Sequence, residues 1–501
     1  MSFNLWVEPW IRVETLEGTL ERVSFAQALR EAHRLRAVAD TSPLGSGAIL
    51  RWLIALATAL GPSDADSLQA LWRQGRFPLE AIRDFGDQNQ DRFSLFAREH
   101  PFMQSSDLPL PLDDDELASW KTDSVARLFD ELPSRTNSSF WRNLYEDDVA
   151  VCPACAAAGL VVTNAFARGK GVGYRVGPLG VPPTLVFPEG ETLFHSLVAS
   201  LLPQEYRPMT AATDLPWWEH SGDIHAQARR EIGYLQSLTF PARRVRLYPR
   251  DETTTCNRCG ETTDTAIRRV MFKPGEYLDS RVVWRDPFGA YRENPDAKDK
   301  EPSHTPLRPQ PGGRAFWRDL PGLILSPDGI EADMLGASGK AKRKPTRPRL
   351  AEREPFRRPV VVEWVRRAGF PIATWRLIGI ATDLRAKDFQ WFDERLVASP
   401  ALEEPERAAR VRAALDLAER ARNLTRFLGY RGGAGAVAMS EVGESAFWGA
   451  LDAAFAAFLT QDASAEALAD WMDAVRIAAQ AAWPRWSQAL ATWFAKARTT
   501  E

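Results

Sequence analysis

The chain has 501 residues and a net charge of −3, with 45% hydrophobic and 26% charged residues. This length predicts about two to four domains. Because the net charge is near zero, the molecule as a whole does not attract nucleic acid, and any affinity for nucleic acid must come from local basic patches. The first residues lack the pattern of a signal peptide, and the most apolar predicted helix, 49–60, is too short to span a bilayer, so we expect a cytoplasmic protein.

The first hundred residues alternate predicted strands and helices. Aromatic and β-branched residues predict a strand pair at 3–7 and 10–13, and helical spacing of apolar residues predicts three helices: 25–37, 48–60 and 67–76. Phe93-Ser94-Leu95-Phe96 then leads into His100-Pro101-Phe102-Met103-Gln104, which predicts a strand followed by a proline turn.

A polar loop at 134–143 precedes the first cysteine pair and places Phe140 next to Trp141. Two interpretations stay open at this point. In one, the two rings fold back into the core, as most aromatic side chains do. In the other, they stack on nucleic-acid bases while Arg135 and Arg142 lie near phosphates.

All four cysteines lie in two Cys-x-x-Cys pairs, Cys152 with Cys155 and Cys256 with Cys259. Each pair places two thiolates on one side of a tight turn, and two such turns form the closed tetrahedral site that zinc prefers. Two disulfides would need an oxidising compartment, and a thioredoxin-like centre uses a single pair. We therefore predict structural zinc, which would join two distant segments and make the loops near it the first candidates for function.

A glycine-rich stretch follows the first pair and ends near Arg175. It is not a phosphate-binding P-loop, because GxxxxGK[ST] is missing, and it opens no clear Rossmann unit. Glycines let a backbone approach a ligand closely, and Lys170 and Arg175 add positive charge. A flexible surface hairpin is the alternative interpretation.

Basic residues recur in the second half of the N-terminal region. Arg243, Arg244, Arg246 and Arg250 alternate with apolar residues in a predicted strand that runs toward the second cysteine pair, and further strands are predicted at 267–272 and 281–284. The loop 338–359 carries the densest run of lysine and arginine, which is typical of contacts with a phosphate backbone.

Three further strands are predicted beyond this basic loop, at 360–365, 375–382 and 389–392. The last two form a hairpin whose tip carries Arg385, Ala386 and Lys387.

Alanine and leucine dominate after residue 400, and strand signals vanish. Four helices are predicted there: 405–428, 440–460, 464–483 and 484–498. Antiparallel amphipathic helices with short links are typical of a four-helix bundle. The predicted fold class is therefore α+β, with a large mixed α/β N-terminal domain (1–399) that holds a four-cysteine zinc site and an all-α four-helix bundle (400–501).

The sequence offers no convincing active site. GxSxG, HExxH and Walker motifs are missing, six histidines are few for an enzyme of this length, and a zinc closed by four cysteines has no open coordination position. These observations favour a binding protein over an enzyme.

The order of these features resembles the CasA family, the large subunit of the type I-E CRISPR surveillance complex Cascade. The resemblance rests on the aromatic N-terminus, the 93–104 block, the two cysteine pairs, the glycine loop and the helical C-terminus. It implies a non-catalytic antiviral-defence subunit that binds DNA and RNA. Such a subunit reads the protospacer-adjacent motif in double-stranded DNA while the guide RNA reads the sequence, and it starts unwinding of the duplex.

The resemblance also implies partners and site residues. The partners are the 5′ handle of the CRISPR RNA, double-stranded target DNA, the small, backbone and handle-binding Cascade subunits, and a recruited helicase-nuclease. In the family the loop before the first cysteine pair approaches the RNA handle and the motif. Its matching positions are Asn137, Phe140, Trp141 and Arg142.

Two further loops carry over from the family. The glycine loop that enters the minor groove matches Gly169, Lys170, Gly171, Val172, Gly173 and Tyr174. Lys273 is the nearest match to a lysine that touches the motif, although its spacing differs slightly. The wedge that parts the duplex matches Arg385, Ala386 and Lys387, where relatives can carry glutamine. A basic tip favours contact with phosphates instead. The alternative function is a zinc-containing nucleic-acid-processing enzyme, such as a nuclease or an RNA-modifying protein.

Overall fold

The computed structural model describes most of the chain, and its ranges are 2–129, 149–167, 173–221, 223–293, 304–307, 323, 356–383, 388–431 and 433–497. In the N-terminal part, an antiparallel sheet in the order β2-β1-β3 consists of β1 (Ile11–Thr15), β2 (Leu20–Val23) and β3 (Leu35–Val38). The predicted strand at 3–7 does not pair with 10–13. Instead, Asn4 bridges to Ser94, and Leu5 N donates to the Phe93 carbonyl at 2.9 Å.

Within the described residues up to 167, the chain forms six α-helices, the last of which begins at the first cysteine pair. They are α1 (Phe25–Arg30), α2 (Pro43–Leu60), α3 (Ala65–Gln74), α4 (Leu79–Asn89), α5 (Asp114–Ser119) and α6 (Pro153–Ala165). The predicted helix 25–37 ends early, and its last part is the strand β3. Helix α2 is long and apolar enough to cross a membrane by length and composition alone, but 83% of that window is buried inside the protein.

A long antiparallel hairpin lies beside α6. Its strands are β7 (Arg243–Thr255) and β8 (Thr262–Pro274), and the short strand β4 (Asp123–Ser124) pairs with the outer edge of β8. Val151 exchanges backbone hydrogen bonds with Ile267 just before α6 begins. The second cysteine pair therefore lies at the turn of this hairpin. No strand forms at the predicted 281–284, where the chain makes a turn and an extended segment.

Short elements connect the hairpin to the rest of the core. They are β5 (Leu185–Glu189), α7 (Leu193–Ser200), β6 (Ala228–Arg229), α8 (Tyr234–Leu238), β9 (Tyr277–Leu278), β10 (Tyr291–Glu293), β11 (His304–Pro306) and β12 (Phe356–Arg357). Strand β6 runs parallel to β9, and β10 lies between β11 and β12.

The predicted strand at 360–365 is a helix, α9 (Val360–Ala368). Val361, Val362, Trp364 and Val365 are buried, which is the spacing of one helical face, and Gly369 ends the helix in the left-handed conformation. The β-branched valines suggested a strand, but burial of this face outweighs their weak preference. The predicted hairpin that follows is confirmed as β13 (Thr374–Asp383) and β14 (Asp388–Val397), with β13 also paired to β5.

Four helices fill the C-terminal part: α10 (Pro405–Arg431), α11 (Ala434–Thr460), α12 (Ala465–Ala482) and α13 (Ser487–Ala497). Trp471 on α12 donates its indole N–H to the Ala414 carbonyl of α10 at 2.8 Å, and its ring lies 5.2 Å from that of Phe455 on α11. Phe447 on α11 contacts Trp483 after α12. Large aromatic residues thus join these helices, and Trp448 and Trp471 rank among the largest fully buried side chains.

Candidate functional site

The structure brings the four cysteines together. Their sulfur atoms all lie within 4.8 Å of one another, and the Sγ atoms of Cys152 and Cys259 are 3.9 Å apart. Four sulfurs at about 2.3 Å from a central zinc are about 3.8 Å from each other, whereas a disulfide needs about 2.05 Å. All four thiols are free. The predicted clustering of Cys152, Cys155, Cys256 and Cys259 into one candidate metal site is confirmed.

The first pair is positioned by the start of α6. Cys152 is the N-cap residue, Pro153 occupies the first turn, and the backbone N–H of Cys155 points at the Cys152 sulfur at 3.4 Å. Proline suits this position because its fixed φ matches the helix and its missing N–H costs no hydrogen bond. The positive end of the helix dipole also stabilises thiolates at this place.

The second pair is held by the turn between β7 and β8. The N–H of Cys256 donates to the Glu261 carbonyl at 2.8 Å, and Gly260 adopts a φ of +79°, which favours glycine. Asn257 joins this turn to the first pair, because its side-chain oxygen accepts from Ala150 N at 2.7 Å and its N–H donates to the Ala150 carbonyl. The two turns are therefore held in place by the protein chain as well.

Crowding of the thiols shifts their pKa values apart. Contacts with Cys152 and Cys155 lower the pKa of Cys256 to about 6. A contact with Cys152, together with contacts to the other thiols, raises the pKa of Cys155 far above its ordinary value. Neighbouring thiolates repel each other, so protons remain on some of them until a cation joins the cluster. The donor set therefore fits a divalent metal that favours sulfur ligands.

A second cluster of predicted residues lies at the other end of α6. Asn164, near the end of that helix, accepts the backbone N–H of Arg243 at 2.8 Å, next to the Arg243–Pro274 end of the hairpin. Helix α6 is about 17 Å long from Pro153 to this point. The cysteine cluster and the second cluster therefore lie at opposite ends of one helix and do not touch each other directly.

Gly173 and Tyr174 pack on the end of β8, against the two residues that flank Lys273. Gly173 has a φ of +83°, and a Cβ placed on it would be 3.5 Å from the Pro274 side chain. Tyr174 donates its hydroxyl to the Phe272 carbonyl at 2.9 Å. Lys273 and Gly173 are both exposed. The described end of the glycine loop thus contacts the residues on either side of the lysine.

Two arginines support Tyr174 from the inside. The guanidinium of Arg127 lies 5.2 Å from the Tyr174 ring centre and 4.3 Å from that of Phe272, and Arg243 lies 5.6 Å from the Tyr174 ring. Burial lowers the pKa of Arg243 to about 10. Sequence reasoning missed Arg127, because nothing near it in the chain marks it as a neighbour of residue 174.

Comparison with known proteins identifies the family. Residues 4–482 match the model of the family described as "CRISPR-associated protein Cse1". The chain belongs to the Cse1 (CasA) family. The sequence-based resemblance to this family is confirmed.

Individual relatives agree with the Cse1 assignment. The "CRISPR-associated protein CasA/Cse1" of Thermus thermophilus is 31% identical over 338 residues, and this match spans 64% of the chain and 60% of the relative's length. The structure of Thermus thermophilus CasA (Cse1) has a TM-score of 0.69 and 26% identity, with 96% of this chain and 93% of that chain covered. A chain of a "CRISPR RNA-guided surveillance complex" has a TM-score of 0.70 at 19% identity, covering 100% and 99%, and so shares the fold.

Several predicted Cse1 site residues fall outside the described ranges. They are Asn137, Phe140, Trp141, Arg142, Gly169, Lys170, Gly171, Val172, Arg385, Ala386 and Lys387. Strands β13 and β14 do end next to the last three, with Asp383 paired to Asp388.

The predicted basic strand needs a correction. Arg243 and Arg246 are each 2% exposed, and Arg246 donates to the Ala97 and Arg98 carbonyls. Arg244 forms an ion pair with Asp107. Most of this arginine run therefore serves internal contacts, because both faces of the first half of β7 are covered by the rest of the protein.

Proposed function

We propose that this chain is the large subunit of a CRISPR RNA-guided antiviral complex. In this role it recognises the protospacer-adjacent motif in double-stranded DNA, starts unwinding of the duplex and recruits a helicase-nuclease. Membership of the Cse1 family supports the proposal. The fold shared with a chain of a CRISPR RNA-guided surveillance complex agrees with it. The partners are the 5′ handle of the CRISPR RNA, target DNA and the other Cascade subunits.

The observation that supports motif recognition is that Gly173 and Tyr174 pack on the strand residues that flank exposed Lys273. The minor groove is narrow, so a reader needs backbone without bulky side chains and a cation to match the strong negative potential. Gly173 offers the first in a left-handed conformation, and exposed Lys273 offers the second beside it. The other predicted residues of the glycine loop directly precede Gly173 in the sequence. The predicted residues of the wedge tip lie between β13 and β14 in the sequence.

We propose zinc as the metal of the four-cysteine centre. Cys152, Cys155, Cys256 and Cys259 would hold it, and it would act as a structural ion, since a site closed by four thiolates leaves no position for a reacting water. Such a centre fixes the first turn of α6 against the turn of the β7–β8 hairpin. The orientation of α6 would then determine where Gly173 packs against Pro274.

The C-terminal helices α10 to α13 support a division into two domains near residue 400. We propose that they form a four-helix bundle that presents a docking surface to the small subunits. Two buried tryptophans, Trp471 and Trp448, anchor the packing of these helices, and they belong to the hydrophobic core that continues into the N-terminal part. The bundle remains in contact with the N-terminal part through Arg366, which forms an ion pair with Glu403 at 2.8 Å.

The proposed protein is non-catalytic and cytoplasmic. Its competitor is a zinc-containing nuclease or RNA-modifying enzyme. Purified chain is incubated with labelled DNA and RNA in the presence of Mg²⁺, Mn²⁺ or Zn²⁺, and we expect no turnover. Cleavage or modification that disappears in a Cys155→Ala variant would favour the enzyme.

The decisive test is reconstitution. The other Cascade subunits and guide RNA are assembled with and without this chain, and binding to duplexes with randomised bases next to the target is measured. We expect selection of a short flanking motif only when the chain is present. Equal enrichment of all flanking sequences with and without it would overturn motif recognition.

A further inference from the structure

Arg22 lies beside the metal cluster although 237 positions separate it from Cys259. It sits on β2 at the N-terminal sheet, and its guanidinium forms an ion pair with Glu261, two residues after Cys259. The carbonyl of the same Glu261 accepts the N–H of Cys256 at 2.8 Å, so the ion pair holds Arg22 at the turn that carries two of the cysteines. Only 22% of the Arg22 side chain is exposed, whereas that of Glu261 is 60% exposed. A shielded cation from a separate part of the fold therefore lies at the turn that carries two predicted metal ligands.

The net negative charge expected of a metal-loaded cluster explains why a cation would be favourable at this position. Four thiolates around one divalent ion carry a net charge of about −2, and Cys152, Cys155 and Cys256 are buried. Excess charge in a buried site is costly unless a neighbouring group of opposite sign compensates it. The start of α6 supplies part of that compensation through its dipole and the Cys155 N–H. A full positive charge beside Cys259 supplies more.

We propose that Arg22 is an outer-sphere partner of the four-cysteine centre, which neutralises its excess charge and retains the metal. This inference rests on the proposed metal centre. Arg22 positions and stabilises the Cys259 thiolate, and Glu261 in turn orients Arg22. Outer-sphere partners of this kind contribute about 10–100-fold to metal affinity.

A second arginine shows that the N-terminal sheet is joined to the same turn by an independent contact. Arg258, between Cys256 and Cys259, forms a buried ion pair with Asp40, which follows β3. Its guanidinium lies 5.1 Å from the Phe129 ring centre. Loss of Arg22 would therefore remove the charge beside Cys259 without detaching the sheet from the turn, so the effect of the charge is measurable in a folded protein.

The test compares three variants of the full chain. Arg22→Gln removes the charge, Arg22→Lys keeps it, and Arg36→Gln makes the same change at an exposed position on β3 of the same sheet. Each protein is loaded with zinc, and the metal is withdrawn by a chromophoric chelator. We expect about 10–100-fold weaker retention for Arg22→Gln, an intermediate value for Arg22→Lys and the parental value for Arg36→Gln.

A second readout separates a charge effect from a folding effect. A cation near Cys259 makes its metal-bound thiolate less nucleophilic, so in Arg22→Gln alkylation by iodoacetamide should become faster at Cys259 than at Cys155, as mapped by mass spectrometry. Parental retention and alkylation in Arg22→Gln would overturn the inference while leaving the metal centre intact. A parent chain that binds no zinc would overturn the metal centre itself.

Discussion

The two ends of α6 differ in burial and in charge. At its start, four thiols from two distant segments lie within 4.8 Å of one another, and most are buried. At its end, Gly173 and Lys273 are exposed, and only the back of Tyr174 is supported by buried arginines. The first end suits a structural joint and the second suits a binding surface. Under the proposed function, a metal at the first end would act on the second end only through the orientation of the helix between them.

The largest expected effect on stability is at the four-cysteine end of α6. Cys155→Ala removes one ligand, so the metal should be lost and the free energy of unfolding should fall by more than about 3 kcal/mol, because metal binding contributes to folding. Elemental analysis and denaturant unfolding measure both. A variant that keeps the parental metal content and stability would show that the cluster is not a metal site.

The buried carboxylate behind the lysine turn should come next. Glu276 is 0% exposed, accepts from Arg229 at 2.9 Å and lies 3.6 Å from His220. Although burial alone raises the pKa of Glu276, hydrogen bonds to His220 and Arg229 hold it below its usual value. Glu276→Gln should cost about 3 kcal/mol of unfolding free energy near neutral pH, since it leaves the half-buried Arg229 without its carboxylate partner.

The pH dependence of this contribution has a definite sign. Because folding depresses the pKa, the ionised Glu276 stabilises the protein above about pH 4.3, and the stabilisation is lost as pH falls through the lower folded pKa. Unfolding curves should therefore converge for parent and Glu276→Gln in acid. Glu8→Gln, at an exposed position, is the control and should follow the parent at every pH. A constant gap between parent and Glu276→Gln would contradict the assignment.

A smaller effect is expected at the turn that carries the lysine. A Cβ on Gly275 would lie 2.6 Å from Arg243 N and 2.7 Å from the Ala242 carbonyl carbon. Gly275→Ala should therefore cost about 1–3 kcal/mol and weaken DNA binding, because the turn must shift Lys273. Gly449→Ala on α11, with nothing within 4 Å, should be neutral or stabilise by up to about 1 kcal/mol. Thermal unfolding measures the stability of both variants. Equal stability of the two would contradict the close approach of Gly275 to the backbone of Ala242 and Arg243.

At the proposed binding surface we expect the smallest change in stability, together with a specific loss of DNA binding. Lys273→Ala should leave the metal content and the melting temperature unchanged and weaken DNA binding by the assembled complex about 10-fold. The slope of log affinity against log salt concentration should fall in magnitude by about one, because one phosphate contact is lost. Lys121→Ala, an exposed lysine beside β4, is the matched control. Arg385→Ala should act like Lys273→Ala. If both variants bound DNA as well as the parent, the residue assignment would be wrong.

Particular residues show how far sequence reasoning reached. The spacing of the cysteines predicted their cluster, because Cys-x-x-Cys turns have few other uses in a reduced protein. The valines of α9 were wrongly predicted as a strand, since periodicity of a short apolar run does not separate the two states. Arg243 and Arg246 were predicted as part of a basic strand, yet both are buried against backbone carbonyls. Local pattern gave the chemistry of each side chain but not its surroundings.

The sequence by itself determined the four-cysteine set, the long helices of the C-terminal part and membership of the family, because these depend on residue types at short spacings and on their order. Only the tertiary structure decided which arginines are internal, that Arg22 pairs with Glu261 beside the cysteine cluster, and that Gly173 packs against Pro274 at the far end of α6. The last two contacts join residues 239 and 101 positions apart. They follow from how the core packs α6 against the β7–β8 hairpin, which no local pattern encodes.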